Sequence, residues 1–344
     1  MSEQQIRMLD RLLTGEDLSE TEAGDVLRSI ANGDIAPALA GGLLAALRSK
    51  GESASEIRGF ASALRELARV PAITPGEAYV DIVGTGGDGS GSLNLSTGSA
   101  LLAAACDLKV VKHGNRSISS RCGSADVLQA LGLPIPLDER RAGQCLTDVG
   151  FTFLFAPHYH PAMKNIAPVR SALGVRTIFN ILGPLVNPAS PPFYVIGAFS
   201  EAMAELMAET LRGMPIERAF VVHGAQGWDE ATPIGPFVCF DVHRGANTRS
   251  VRDPQDLGIA RCAPEALLGA DSAHNAQRLE EALRGGDSVA HRDALALGAA
   301  LALEVTGAAK DFPAAIERAR EGIRSGAAGA LLSALAQFGT RETP

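Results

Sequence analysis

The chain has 344 residues, with 31 Lys and Arg against 39 Asp and Glu and a formal net charge of −8. That balance argues against nucleic acid as the main partner, because phosphate binding leaves a basic surplus or a clustered basic face. Glycine is over-represented, at 37 residues or roughly 11% where about 7% is usual, while 12 Phe, 3 Tyr and 1 Trp are too few for a face of stacked rings.

Residues 3 to 70 read as helical: Leu9, Leu12 and Leu13 follow helical spacing, and the pairs Ser19/Glu22 and Ser53/Glu56 have the form of capping boxes. Gly33 and Gly51 stand where helices would stop. Two prolines and a glycine in Pro71 to Glu77 mark the clearest boundary. Beyond it, short apolar runs at Tyr79 to Val83, Lys109 to Val111, Phe151 to Phe155, Phe193 to Phe199 and Ala219 to Val222 alternate with Ala- and Leu-rich stretches. This is the pattern of a mostly parallel sheet flanked by helices. Phe237 to Val242 and Thr248 to Val251 read as a strand pair around HRGAN, and the chain from Pro264 onward is helical again. Five scattered cysteines without a Cys-x-x-Cys pair indicate neither a disulfide framework nor a thiolate zinc site. MSEQQIRMLDRLL lacks a secretory pattern, and no run approaches the roughly 20 apolar residues of a membrane span. The expectation is a cytoplasmic protein, unprocessed and not held in a membrane.

The chemistry concentrates in DIVGTGGDGSGSLNLSTGSA, Asp81 to Ala100, where a strand runs into a loop with Gly84, Gly86, Gly87, Gly89 and Gly91 ahead of an apolar helix. Bare backbone N–H groups and small hydroxyls at a helix N-terminus favour an anion. A glycine-rich turn that merely lets strand and helix pack closely is the plainer alternative for so short a motif. A Walker loop needs a lysine, and none occurs between Asp81 and Leu108. Gly84, Gly86 and Gly89 satisfy the dinucleotide spacing, but the acidic candidate, Asp107, precedes the strand it should follow. Asp88 would repel a pyrophosphate unless a metal intervened. A second stretch, KHGNRSISSRCGSAD from Lys112 to Asp126, supplies Lys112, Arg116 and several serine hydroxyls suited to a second phosphate group.

These two stretches, in this order and spacing, resemble the signature of the anthranilate phosphoribosyltransferase family. The likeness continues through Phe153 to Pro188 and the Asp229-Glu230 pair followed by PIG, and covers nearly the whole chain. It implies a small all-helical domain at 1–72, joined by helices from about 162–186, and a large α/β domain at 73–344 with a mostly parallel central sheet, like that of nucleoside phosphorylases. It implies transfer of a phosphoribosyl group from 5-phosphoribosyl 1-pyrophosphate to anthranilate, in tryptophan biosynthesis, by a homodimer paired through its small domains. Gly84, Gly87, Asp88, Ser92, Asn94, Leu95, Ser96 and Thr97 would contact the phosphoribosyl pyrophosphate. Lys112, His113, Gly114, Asn115, Arg116, Ser117, Ile118, Ser119, Ser120 and Ser124 would form its other wall. Ser96, Asp229 and Glu230 would hold two Mg2+ per chain, and Gly84, Asn115 and Arg170 would meet anthranilate.

The residue types suit that chemistry. The main demand is to stabilise charge on the departing pyrophosphate; the arylamine is neutral at pH 7, so no residue is assigned as acid or base and positioning carries much of the rate. Arg170 could hold a carboxylate through two hydrogen bonds. Closure about Pro71 and the segments near Pro157 and Pro188 would bring Arg170 toward the phosphoribosyl site. Taken alone, Asp229-Glu230 would read as a solvated turn, His158 and His160 as packing or channel residues, His113 as a loop anchor and Cys122 as a filler, while Lys164 and Arg176 add charge near the proposed anthranilate pocket or else pair with surface carboxylates. Ser92-Leu93-Asn94 and Leu185-Val186-Asn187-Pro188 depart from the family's Thr-Phe-Asn and Leu-Thr-Asn-Pro, which keeps open an enzyme for another aromatic amine. A pyrimidine nucleoside phosphorylase and a non-catalytic nucleic-acid-binding relative are the remaining alternatives; the KHGNR loop and the Asp229-Glu230 pair favour the transferase.

Overall fold

A computed structural model describes residues 3–74, 77–117 and 122–341. Four helices open the chain, α1 (Glu3–Leu13), α2 (Glu20–Asn32), α3 (Pro37–Lys50) and α4 (Ala54–Glu66). Both expected capping boxes form: the Ser19 and Ser53 hydroxyls accept from the backbones of Glu22 and Glu56, whose carboxylates return to the cap N–H groups. Gly33 and Gly51 end α2 and α3 at φ of 78° and 93°, a region open to glycine at little cost.

Seven strands follow: β1 (Tyr79–Gly84), β2 (Lys109–Gly114), β3 (Phe151–Phe155), β4 (Phe193–Gly197), β5 (Arg218–His223), β6 (Phe237–His243) and β7 (Ala246–Arg252). They lie in the order β3-β2-β1-β4-β5-β6-β7, parallel through β5 and antiparallel across β6 and β7. The β4 strand stops at Gly197, two residues short of the expected end, and the β6–β7 turn is narrower than HRGAN because His243 already pairs with Ala246. Interleaved helices are α5 (Leu95–Ala105), α6 (Ser124–Ala130), α7 (Glu139–Val149), α8 (Ala156–Tyr159), α9 (Met163–Leu173), α10 (Phe179–Leu182) and α11 (Glu201–Arg212). The expected helical C-terminus contains α12 (Ser272–Leu283), α13 (Val289–Val305), α14 (Phe312–Arg324) and α15 (Ala327–Thr340).

Strand alternation sends successive side chains to two cores. Val195, Phe220 and Val222 join α5, α13 and the C-terminal helices, while Tyr194, Ile196, Ala219 and Val221 join the N-terminal bundle. The second core also takes in Ile166 and Val169 of α9 and Phe179 and Ile181 of α10, and α9 lies against α2 and α3. The 162–186 segment is therefore packed on the N-terminal helices, although every element from β1 to α8 separates it from them in sequence.

Candidate active site

The site is built at the C-terminal ends of the central parallel strands. β1 delivers Gly84 against Asp229: a Cβ on Gly84 would stand 3.1 Å from the Asp229 Cγ and inside contact distance of Oδ2. At the end of β4, a Cβ on Gly197 would stand 2.6 Å from the Asp229 carbonyl carbon. Two strand ends thus carry no side chain because the turn after β5 is pressed onto them. That turn holds Asp229 at 6% exposure, with Oδ2 accepting the Gly86 N–H at 2.7 Å and the Asp229 N–H directed at Asp88 Oδ2 at 3.4 Å. The solvated-turn reading of Asp229-Glu230 therefore fails: the pair is folded under the glycine loop.

Asp88, Asp229 and Glu230 each offer a carboxylate oxygen, all within 4.8 Å of one another. Glu230 Oε2 is sealed from solvent without a hydrogen-bond partner. Burial, with Asp88 nearby, pushes Asp229 up to about 7, and burial with both neighbouring carboxylates raises Glu230 well above its ordinary value. Crowded carboxylates with an unsatisfied oxygen fit a hard, oxygen-seeking divalent cation such as Mg2+.

Asn94 caps α5 in the left-handed region, φ 55° and ψ 45°, without a side-chain bond to the helix. Its carbonyl takes the Thr97 and Gly98 N–H groups at 2.9 and 3.1 Å. Ser92 forms an antiparallel bridge with Leu268, and the hydroxyl of Thr97 is buried without a partner.

Lys112 lies in β2 at 2% exposure rather than in a solvated loop. Its ammonium donates to the Ile82 carbonyl and stands 3.5 Å from Ser96 Oγ. Burial lowers its pKa to about 8 against the pull of Asp81, Glu230 and Asp229. The His113 N–H donates to Asp81 Oδ1 at 3.3 Å, its Nδ1 lies 3.1 Å from the Gly183 carbonyl, and its ring meets His160 edge-on at 5.1 Å, which fits an anchoring role. After Gly114, the Asn115 carbonyl accepts from Ser124 Oγ and from the Ala125 N–H, each at 3.2 Å. Arg116 is engaged by Asp126 and Gln129, both at 2.7 Å, and the Ser117 N–H points to Asp126 Oδ2 at 3.3 Å. Ile118, Ser119 and Ser120 lie outside the described residues.

Arg170 projects from α9 with its guanidinium 5.3 Å from the Phe179 ring centroid. It has no carboxylate partner among the described residues, and burial lowers its pKa. Of the two readings of Arg176, pairing with a surface carboxylate is not seen among the described residues; it donates to the Gly87 carbonyl at 3.3 Å and sits over Phe199. His158 Nε2 is 3.5 Å from Glu139 Oε1, a packing contact. Two residues not singled out from the sequence support the site. Asn187 donates to Asp81 Oδ2 and the Val111 carbonyl at 2.8 Å each, and Asn275 reaches Asn94 at 2.8 Å. Asn187, beside a proline, carried a turn signal; Asn275, inside a helix, carried none.

A bundle of helices joined to a parallel sheet, with a glycine loop and buried acidic cluster at the strand ends, defines a two-part glycosyl transferase. The glycosyl transferase family α/β domain matches residues 76–329, and the family's helical bundle domain matches residues 6–68. The chain is 46% identical to an anthranilate phosphoribosyltransferase of Desulforudis audaxviator, covering 97% of this chain and 96% of that one. It is similar to the crystal structure of anthranilate phosphoribosyltransferase from Thermus thermophilus, with a TM-score of 0.90, 42% identity and coverage of 97% and 99%. The enzyme from Saccharomyces cerevisiae in complex with 5-phosphoribosyl 1-pyrophosphate and Mg matches with a TM-score of 0.88, 26% identity and coverage of 98% and 99%. The chain belongs to the anthranilate phosphoribosyltransferase family.

Proposed function

We propose that the protein transfers the phosphoribosyl group from 5-phosphoribosyl 1-pyrophosphate to anthranilate, releasing pyrophosphate, in tryptophan biosynthesis. The observation that carries this reading is the Asp88, Asp229 and Glu230 cluster under a glycine loop at the head of α5. Ser96, Asp229 and Glu230 would hold Mg2+, with two ions per chain as the assignment. Bound Mg2+ neutralises charge on phosphate oxygens and so favours departure of pyrophosphate.

The chain's own residues do the rest. The opening of α5 and the Ser96 and Thr97 hydroxyls receive phosphate oxygens. Lys112, held from below by Ile82, adds a fixed positive charge. The segment from Lys112 to Ser120, with Ser124, forms the facing wall. Arg170 receives the anthranilate carboxylate, with Gly84 and Asn115 beside it, and the neutral arylamine needs orientation rather than a base.

Leu93 and Val186, the two departures from the family pattern, are both core residues, at 0% and 3% exposure. The remaining assignments are a helical domain of residues 1–72 with about 162–186, an α/β domain of the remainder of 73–344, a homodimer paired through the helical domains, no nucleic-acid partner and a cytoplasmic location. No helix among the described residues is long and apolar enough to cross a membrane. Kinetics with each substrate varied in turn test the roles: Arg170→Ala raises KM for anthranilate, whereas Glu230→Ala weakens metal-dependent turnover. The opposite pattern refutes them.

A further inference from the structure

We infer that Asn275, on α12, is a positioning residue for the phosphoribosyl pyrophosphate loop, acting through Asn94. The inference rests on the proposed phosphoribosyl-transfer reading. Asn275 is 1% exposed and 181 residues from Asn94 in sequence. Its Oδ1 accepts the Ala270 N–H at 2.7 Å, and its Nδ2 donates to Asn94 Oδ1 at 2.8 Å. Asn94 Nδ2 in turn donates to the Cys122 carbonyl at 3.2 Å. A backbone N–H can only donate and a backbone carbonyl can only accept, so the two ends of this relay dictate the orientation of both amides.

The relay explains why Asn94 caps α5 without bonding to it. Its side chain spans from α12 to the end of the second loop at Cys122, and its backbone is left in the left-handed region where the chain turns into the helix. The same segment grips the glycine loop through its backbone. The Leu93 N–H donates to the Leu267 carbonyl at 3.1 Å, and the Gly269 N–H donates to the Gly91 carbonyl at 2.8 Å. A Cβ on Gly269 would stand 2.6 Å from the Ser92 carbonyl oxygen and 2.7 Å from the Asn275 amide atoms, too close for either to stay. α12 also packs on α6, which opens at Ser124, and on α5. Residues 267–275 therefore clasp both loops from outside, without being part of either motif.

The variants that test this are Asn275→Asp and Asn275→Ala. The aspartate still accepts from Ala270 but turns a second acceptor on Asn94 Oδ1, so the Asn94 amide must give up Cys122 or face a carboxylate. Steady-state kinetics with Mg2+ should show KM for 5-phosphoribosyl 1-pyrophosphate raised about tenfold, the scale of one lost buried hydrogen bond, with KM for anthranilate and kcat within about twofold. A role in stability alone would lower Tm and the active fraction while leaving both KM values in place. Gly269→Ala displaces Asn275 without replacing it, and should shift the same KM if an Asn275 variant fails to fold. Titration of Mg2+ and 5-phosphoribosyl 1-pyrophosphate by calorimetry reads the same loss without turnover. An unchanged KM in folded Asn275→Asp overturns the inference, whereas failure of the unaltered protein to consume anthranilate overturns the function on which it rests.

Discussion

Gly84 and Asp229 share a space that admits no side chain: the Asp229 carboxylate occupies the position that a β-carbon on Gly84 would take. The chain end of β1 and the acidic turn after β5 are thereby locked in register, and the Gly86 N–H bond to Asp229 holds the loop over them. Gly84→Ala should displace Asp229 while leaving the sheet intact. A 1 Å misplacement costs on the order of 10²-fold in rate, so turnover should fall by that order with an unchanged circular dichroism spectrum. A variant with full activity would show that this contact does not set the site.

Phe179 supports Arg170 from below and itself meets Phe60 of α4 edge-on at 5.9 Å. Phe179→Leu keeps the site apolar but removes the ring face, a loss of about 0.5–1 kcal/mol. KM for anthranilate should rise about two- to fivefold, while KM for 5-phosphoribosyl 1-pyrophosphate stays constant; equal shifts in both would contradict the assigned role of Arg170.

The bond from Arg176 to the Gly87 carbonyl ties the α9–α10 connection to the glycine loop. Arg176→Ala should loosen that tie at a cost of about 1 kcal/mol, a several-fold effect on kcat/KM. Arg176→Lys, which keeps the charge but not the planar fork, should recover little of it. Full recovery with lysine would assign the effect to charge instead.

Buried histidines set an acid limit on stability. His113 is lowered to about 3 and His160 to about 4, mainly by burial. With folded values below the unfolded value near 6.5, each favours the fold above that pH, and this stability is lost as the pH falls through the folded values. Asp81, pushed up to about 6 by burial, Asp229, up to about 7, and Glu230, raised well above its ordinary value, act in the opposite direction, because the folded state takes up their protons first as the pH falls. The histidine contribution is therefore read as a difference: the stability of the unaltered protein relative to His160→Asn should decline as the pH falls from 6.5 toward 4. A difference that stays constant between 6.5 and 4.5 would contradict it.

The helical caps, the strand runs and the glycine loop were legible because each is a local pattern: Ser19 and Glu22 are three residues apart, and the loop glycines all fall between Gly84 and Gly91. The site's supports were not legible, because they join distant segments. Nothing near Asn275 marks it as a partner of Asn94, and nothing near Phe179 shows that it lies under Arg170. Lys112 misleads when read alone, since a lysine in a basic loop is ordinarily solvated, whereas this one is driven into the sheet against the Ile82 carbonyl and close to buried carboxylates. Asp229 and Glu230 could be read as metal ligands only through the family resemblance; their burial under the loop supplies the physical reason.

The most direct measurement is loss of anthranilate fluorescence with 5-phosphoribosyl 1-pyrophosphate, with and without Mg2+, for the unaltered protein and Glu230→Gln. The expected result is rapid loss that needs both the sugar phosphate and Mg2+ and that is slowed about 10²-fold or more in Glu230→Gln. No loss with the unaltered protein, or a loss indifferent to Mg2+ and to the substitution, would contradict the assignment of the acidic cluster to phosphoribosyl transfer.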